Sequence, residues 1–209
     1  MRAFLPIALC VTVLVVTACA GGGDTPAPGE GGGIRGTVID PPLEKPDFVM
    51  MDTDGNPFDF RTGTRDRLTL LFFGYTNCPD VCPVTMANLG AVIGKYPAET
   101  RDRIRVVFVT TDPVRDTPRR LREWLDRYDP DFVGLYGDID IVDRIETALG
   151  LPIAQRPDSM AMGMDYAVGH SARVLVFTPD NEGRVTYGFG TRQEDWIHDL
   201  PLLLQQVNW

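Results

Sequence analysis

Four cysteines in 209 residues are too few for a disulfide framework once Cys10 is assigned to an N-terminal leader and Cys19 to a lipid anchor. Basic charge is also short. Twenty Lys and Arg face 29 Asp and Glu, a net charge of −9, which argues against nucleic acid as a partner. We read the acidity as serving solubility. No apolar run reaches the ~20 residues of a membrane-spanning helix, and no internal repeat occurs.

What the chain does have begins with Met1-Arg2, an apolar run from Ala3 to Val16, and then Val16-Thr17-Ala18-Cys19. This is the layout of an export signal. Its ending resembles a bacterial lipoprotein signal, in which cleavage after residue 18 leaves Cys19 to carry lipid. A cut after Ala20, or an uncleaved anchor, are the competing readings. Without its leader the chain keeps 19 basic and 29 acidic residues, −10. Residues 19–36 are rich in Gly, Pro and polar side chains and read as a flexible tether. Residues 37–209 are the length of one domain with a real core.

The domain is organised around Leu68-Thr-Leu-Leu-Phe-Phe-Gly74, an apolar run suited to a strand covered on both faces. It is followed by Cys78-Pro-Asp-Val-Cys82-Pro83. Pro83 belongs in the first turn of a helix, expected over residues 83–95. A helix N-terminus favours thiolate over thiol, so both sulfurs are expected to be reactive or metal-binding. A structural disulfide is the plainer reading, but so short a loop removes little chain entropy. An exported dithiol must be kept reduced or must cycle.

Before the main strand, Asp54-Gly55 between residues 48–51 and 57–60 reads as a hairpin turn. Ile104 to Thr110 is a second buried strand, and strand–helix–strand order implies a right-handed parallel crossover. Thr117 and Pro118 mark a helix start, and Leu121, Trp124, Leu125 and Tyr128 recur at helical spacing. A strand over 132–137 and a helix over 139–149 follow. After a loop come strands at 173–178 and 184–189, then a helix with Trp196, Leu200, Leu203 and Val207 on one face. His198 lies nearly opposite that face and is expected to be exposed.

Three segments together, Cys78-Pro-Asp-Val-Cys82-Pro83, Asp112-Pro-Val-Arg-Asp-Thr-Pro118 and Val168-Gly-His170-Ser171, resemble the Sco/SenC family of copper-handling proteins. The resemblance covers nearly all of residues 37–209. It implies an α/β, thioredoxin-like fold: a central mixed sheet flanked by helices, with an N-terminal β-hairpin extension and a C-terminal hairpin plus helix. It implies one copper ion per monomer, Cu(I) or Cu(II), held by Cys78, Cys82 and His170. The copper would be delivered to the dinuclear copper centre of cytochrome c oxidase, with its copper-bearing subunit as partner. Other envelope copper chaperones or thiol–disulfide reductases are further partners. The setting implied is the bacterial envelope, with the domain tethered by lipid on the extracytoplasmic side.

The ligand set makes chemical sense by itself. Two thiolates and an imidazole form a soft, low-coordinate site for copper(I), and added nitrogen or oxygen satisfies copper(II). Structural zinc would need a fourth ligand. Asp112 has two readings: a carboxylate that supports the metal site or partner exchange, or the cap of an Asp-Pro turn. Asp116 is read as part of the helix start. Met160, Met162 and Met164 are soft donors that could serve transient copper docking, although loop packing explains them as well. The rival function is a thiol–disulfide reductase that uses Cys78 and Cys82 to keep the oxidase cysteines reduced. Three intervening residues depart from Cys-x-x-Cys, and a reductase has no need of His170. No peroxidatic motif supports a peroxidase.

Overall fold

The computed structural model describes residues 33–157 and 166–205. The expected leader, Cys19, Met160, Met162, Met164 and Val207 lie outside them, as does all of the tether but its last four residues.

All seven residues of strand β4 (Leu68–Gly74) are buried near the middle of one eight-stranded sheet. Side chains alternate across a strand. Leu68, Leu70 and Phe72 therefore enter the core on one face, and Leu71 and Phe73 the core on the other. Two covered faces explain the unbroken apolar run, each large side chain contributing about 1.5–3 kcal/mol of burial.

Beside β4 lies parallel β5 (Ile104–Thr110), reached through α2 (Val81–Ile93) and short α3 (Ala98–Arg101). Next comes α4 (Pro118–Leu125), capped by the Thr117 hydroxyl as expected, then parallel β6 (Val133–Tyr136) and α5 (Ile139–Ala148). Helices α2 and α4 pack into the first core and α5 into the second. On the other side of β4, antiparallel β7 (Val174–Phe177) pairs with β8 (Glu182–Tyr187). The final helix α6 (Gln193–Gln205) packs on α2. The mixed sheet flanked by helices is the α/β, thioredoxin-like architecture expected. None of the described helices is long and apolar enough to cross a membrane.

The expected N-terminal hairpin is present as β2 (Val49–Asp52) and β3 (Pro57–Asp59), which extend the sheet beyond β6 and lead into the short helix α1 (Phe60–Gly63). Gly55 turns it at φ 82°, a conformation that favours glycine. The domain nevertheless opens one element earlier, with β1 (Thr37–Glu44) on the opposite edge against β8. Pro41 and Pro42 mask this strand in the sequence. An edge strand tolerates them, and the register shifts between Val38 and Leu43.

Other boundaries move as well. Helix α2 begins at Val81, two residues before the expected start, so Pro83 sits third in the helix, still within the turn whose amides lack partners. His198 is half-buried instead of exposed, its Nδ1 lying 2.7 Å from Oδ1 of buried Asp199. The Oδ2 atom of Asp199 accepts from the Arg35 and Gly36 amides at 2.8 and 2.9 Å and from the Tyr187 hydroxyl at 2.6 Å. The last residues of the expected tether are thus held on α6.

Candidate metal centre

Strand β4 ends at Gly74, and a short loop carries Cys78 to the start of α2, whose second residue is Cys82. The segment before β7 brings His170 to the same point. The two sulfurs and a ring nitrogen of His170 lie within 4.8 Å of one another, which makes them a potential ligand set for a metal ion. It is the only group of three or more Cys, His, Asp or Glu side chains so arranged among the described residues.

The two sulfurs differ. Cys78 is half-buried, and its Sγ accepts from the Cys82 amide at 3.4 Å. Asp80, at the cap position of α2, makes no side-chain cap bond, so the sulfur meets the helix amides in its place. Hydrogen bonding from the Cys82 thiol, against the cost of burial and with help from His170 and backbone amides, holds the Cys78 thiol down at about 3. Cys82 is fully buried, and desolvation together with the Cys78 thiolate pushes its thiol far up. The sequence does not rank the two sulfurs; the structure distinguishes them as a thiolate beside a buried thiol.

The orientation of His170 is fixed by its backbone neighbour. Nδ1 lies 2.9 Å from the Ser171 carbonyl oxygen, which can only accept, so Nδ1 carries the proton. Nε2 then presents its lone pair toward Cys82 Sγ, 3.3 Å away. This is the tautomer a metal needs. Burial alone would lower the His170 pKa, but the Cys78 sulfur and the Ser171 carbonyl outweigh it and raise the net value. The rings of Tyr75 and Phe72 stand edge-on to the imidazole, with centroids at 5.6 and 6.0 Å.

Gly74 does more than end β4. A β-carbon there would lie 2.6 Å from Cys82 Sγ. The missing side chain makes room for the buried sulfur. Gly74→Ala is expected to displace Cys82, destabilise the fold by about 1–3 kcal/mol and weaken metal binding roughly 10–100-fold. Thermal unfolding and a copper(I) competition titration check both effects.

Asp112 is buried, and among the described residues its carboxylate neither joins the cluster nor accepts from a backbone amide. It pairs with the Arg115 guanidinium and accepts from the Tyr166 hydroxyl at 2.8 Å. Arg115 stacks over Tyr166 at 3.6 Å, faces Tyr75 at 5.5 Å and donates to the Tyr166 carbonyl at 2.8 Å. Asp112 thus reaches the centre only through Arg115 and the ring that touches His170. Asp116 does not belong to the helix start. It is buried and accepts from the Thr76 amide at 3.0 Å and hydroxyl at 2.5 Å and from the Thr110 hydroxyl at 2.6 Å, tying the cysteine loop to the end of β5. Burial raises its pKa against these hydrogen bonds. Arg115 and Tyr75 were not singled out in the sequence, because stacking across three loops leaves no spacing signal.

A protein of Stutzerimonas stutzeri named "putative copper-binding protein" is 37% identical over 139 residues, 66% of each chain. Mitochondrial SCO1 of Saccharomyces cerevisiae is 29% identical over 148 residues, 71% of this chain and 49% of the relative. The chain therefore matches between half and two thirds of the length of these relatives. The solution structure of apo Sco1 from Thermus thermophilus superposes with a TM-score of 0.72 at 29% identity, covering 84% of this chain and 99% of that one. SCO1/SenC, as a family, matches residues 37–205, and the chain belongs to the SCO1/SenC family.

Proposed function

We propose that this protein is a copper metallochaperone that holds one copper ion through Cys78, Cys82 and His170 and hands it to the dinuclear copper centre of cytochrome c oxidase. The observation that carries the proposal is the Cys–Cys–His cluster with His170 Nε2 directed at the sulfurs. The donors are soft, and they are three in number, which suits copper(I) and disfavours structural zinc. Membership of the family and the copper-binding relative support the same cargo. Half-buried Cys78, already ionised, is the natural first contact for incoming copper. Cys82 then loses its proton and His170 completes the site. Release by stepwise ligand exchange runs in the reverse order.

In this reading residues 1–18 are a leader, Cys19 is lipidated, and residues 19–36 tether the domain to the extracytoplasmic face of a bacterial membrane. Asp112 is assigned an indirect role, holding Arg115 and hence the wall of the site.

A thiol–disulfide reductase is the second reading, favoured by the half-exposed Cys78 thiolate. Cys78 would attack a partner disulfide and expel one partner thiolate. Cys82, deprotonated, would then attack Cys78, release the second and leave a Cys78–Cys82 disulfide. The raised pKa of buried Cys82 slows that second step, so copper binding is preferred.

The test is an anaerobic titration of the reduced full chain with copper(I) against a competing chelator. One-to-one binding is expected, lost in Cys78→Ser. Weak or non-stoichiometric binding would discard the copper reading and make the dithiol reduction potential the quantity to measure. Proton linkage gives a further check. Cys78 is already ionised at neutral pH while Cys82 is not, so binding releases about one proton and affinity rises about tenfold per pH unit. Below the raised His170 pKa a second proton is displaced and the dependence steepens.

A further inference from the structure

The chain is acidic overall, yet one cleft beside the cysteine loop is basic. It has a volume of ≈440 Å³ and is lined by Arg115, Thr117, Arg119, Arg120, Glu123 and Arg127. Arg115 is buried and committed to Asp112. Arg119, Arg120 and Arg127 are exposed, against the single carboxylate of Glu123. Arg119 is paired with Glu123 at 3.4 Å, but its side chain is 87% exposed, where such a pair contributes little.

One lining residue of the cleft is hydrogen-bonded to the cysteine loop. Arg120 donates to the Thr76 hydroxyl at 2.9 Å and to the side-chain oxygen of Asn77, the residue before Cys78. A partner seated on these arginines therefore lies beside the loop that presents the half-buried Cys78 sulfur.

We propose that the arginine cleft of α4 is the docking surface for an acidic protein segment, through which the copper-receiving partner is drawn to Cys78. The proposal deepens the chaperone reading and rests on it. Guanidinium groups match carboxylates in geometry and charge. A positive patch on a negative protein orients an acidic partner and repels it from the remaining surface, which raises the encounter rate more than the final affinity. Within a concave cleft the charges converge on a chain segment, whereas a flat lipid surface would call for a spread patch.

The test uses the full chain at low ionic strength, with hexaglutamate peptide as the probe and fluorescence anisotropy as the readout. The peptide is expected to bind, to be released by salt, and to bind about tenfold more weakly to Arg119→Glu/Arg127→Glu. Arg65→Glu/Arg144→Glu makes the same charge change at exposed positions outside the cleft and is expected to retain binding. No binding by the parent chain, or equal loss in both double variants, overturns the proposal. So does loss of binding to vesicles of anionic phospholipid in the cleft variant while peptide binding persists. Copper(I) affinity is measured in parallel and is expected to be unchanged in both. Failure of the parent chain to bind copper would overturn the chaperone reading, whereas failure to bind peptide with copper binding intact would overturn only the docking surface.

Discussion

His170→Ala is expected to weaken copper(II) binding by more than the roughly 10–100-fold that loss of a ligand's hydrogen-bond partner costs, because a ligand itself is removed. Copper(II) needs the imidazole nitrogen, whereas copper(I) is satisfied by two thiolates. The variant should therefore retain most of its copper(I) affinity, and its dithiol should still react with a disulfide reagent. The lever is local. His170 is oriented by the Ser171 carbonyl and by the rings of Tyr75 and Phe72, none of which the substitution touches. Titration followed by sulfur-to-copper charge-transfer absorption separates the two oxidation states. Unchanged copper(II) binding would remove His170 from the site, and equal loss of both oxidation states would mean that the substitution acts through the cysteine loop.

The second large effect is expected at Arg115, which binds no metal. Arg115→Ala leaves the Asp112 carboxylate buried without its counter-charge, and breaking a buried pair from one side costs about 3–5 kcal/mol. For a domain of this size that lowers Tm by on the order of 10 °C. It also removes the guanidinium that lies between the Tyr75 and Tyr166 rings and bonds the Tyr166 carbonyl. The strand-like run from Tyr166 to His170, fixed by the Gln155–Gly169 bridge, then loses one of its anchors. A purely structural role predicts lower Tm with an unaltered copper(II) spectrum in the molecules that remain folded. A positioning role predicts a shifted charge-transfer band below the melting range. Asp112→Asn, which keeps an acceptor for the Tyr166 hydroxyl, should show the same spectral shift in weaker form.

Much of the fold was legible because local rules and tertiary packing agree. The β4 run could only be a strand covered twice, Thr117-Pro118 could only open a helix, and Asp54-Gly55 closes the hairpin it signals. Reading failed where tertiary context overrides a local rule. Two prolines hid β1 because an interior strand could not hold them, yet an edge strand can. His198 faces away from the helix stripe but is half-covered because Asp199 beside it is wholly buried. Asp116 sits next to a helix cap in sequence, while its carboxylate serves a loop 40 residues away.

The sequence by itself picked out the three side chains that the structure brings together, Cys78, Cys82 and His170, since cysteines and histidines are few and these lie in motifs beside predicted strands. It also determined the sheet's central strands through their apolar runs. Only the tertiary structure decided that the two thiols are unequal, because burial weighs most on Cys82 while hydrogen bonds to its sulfur favour the Cys78 thiolate. The same holds for Gly74, whose importance is the volume of a sulfur eight residues further along the chain. It holds for Arg115 as well, whose partners come from three separate loops. Chemistry that depends on residue type is written along the chain; chemistry that depends on solvent exclusion and on distances between remote segments exists only once the chain has folded.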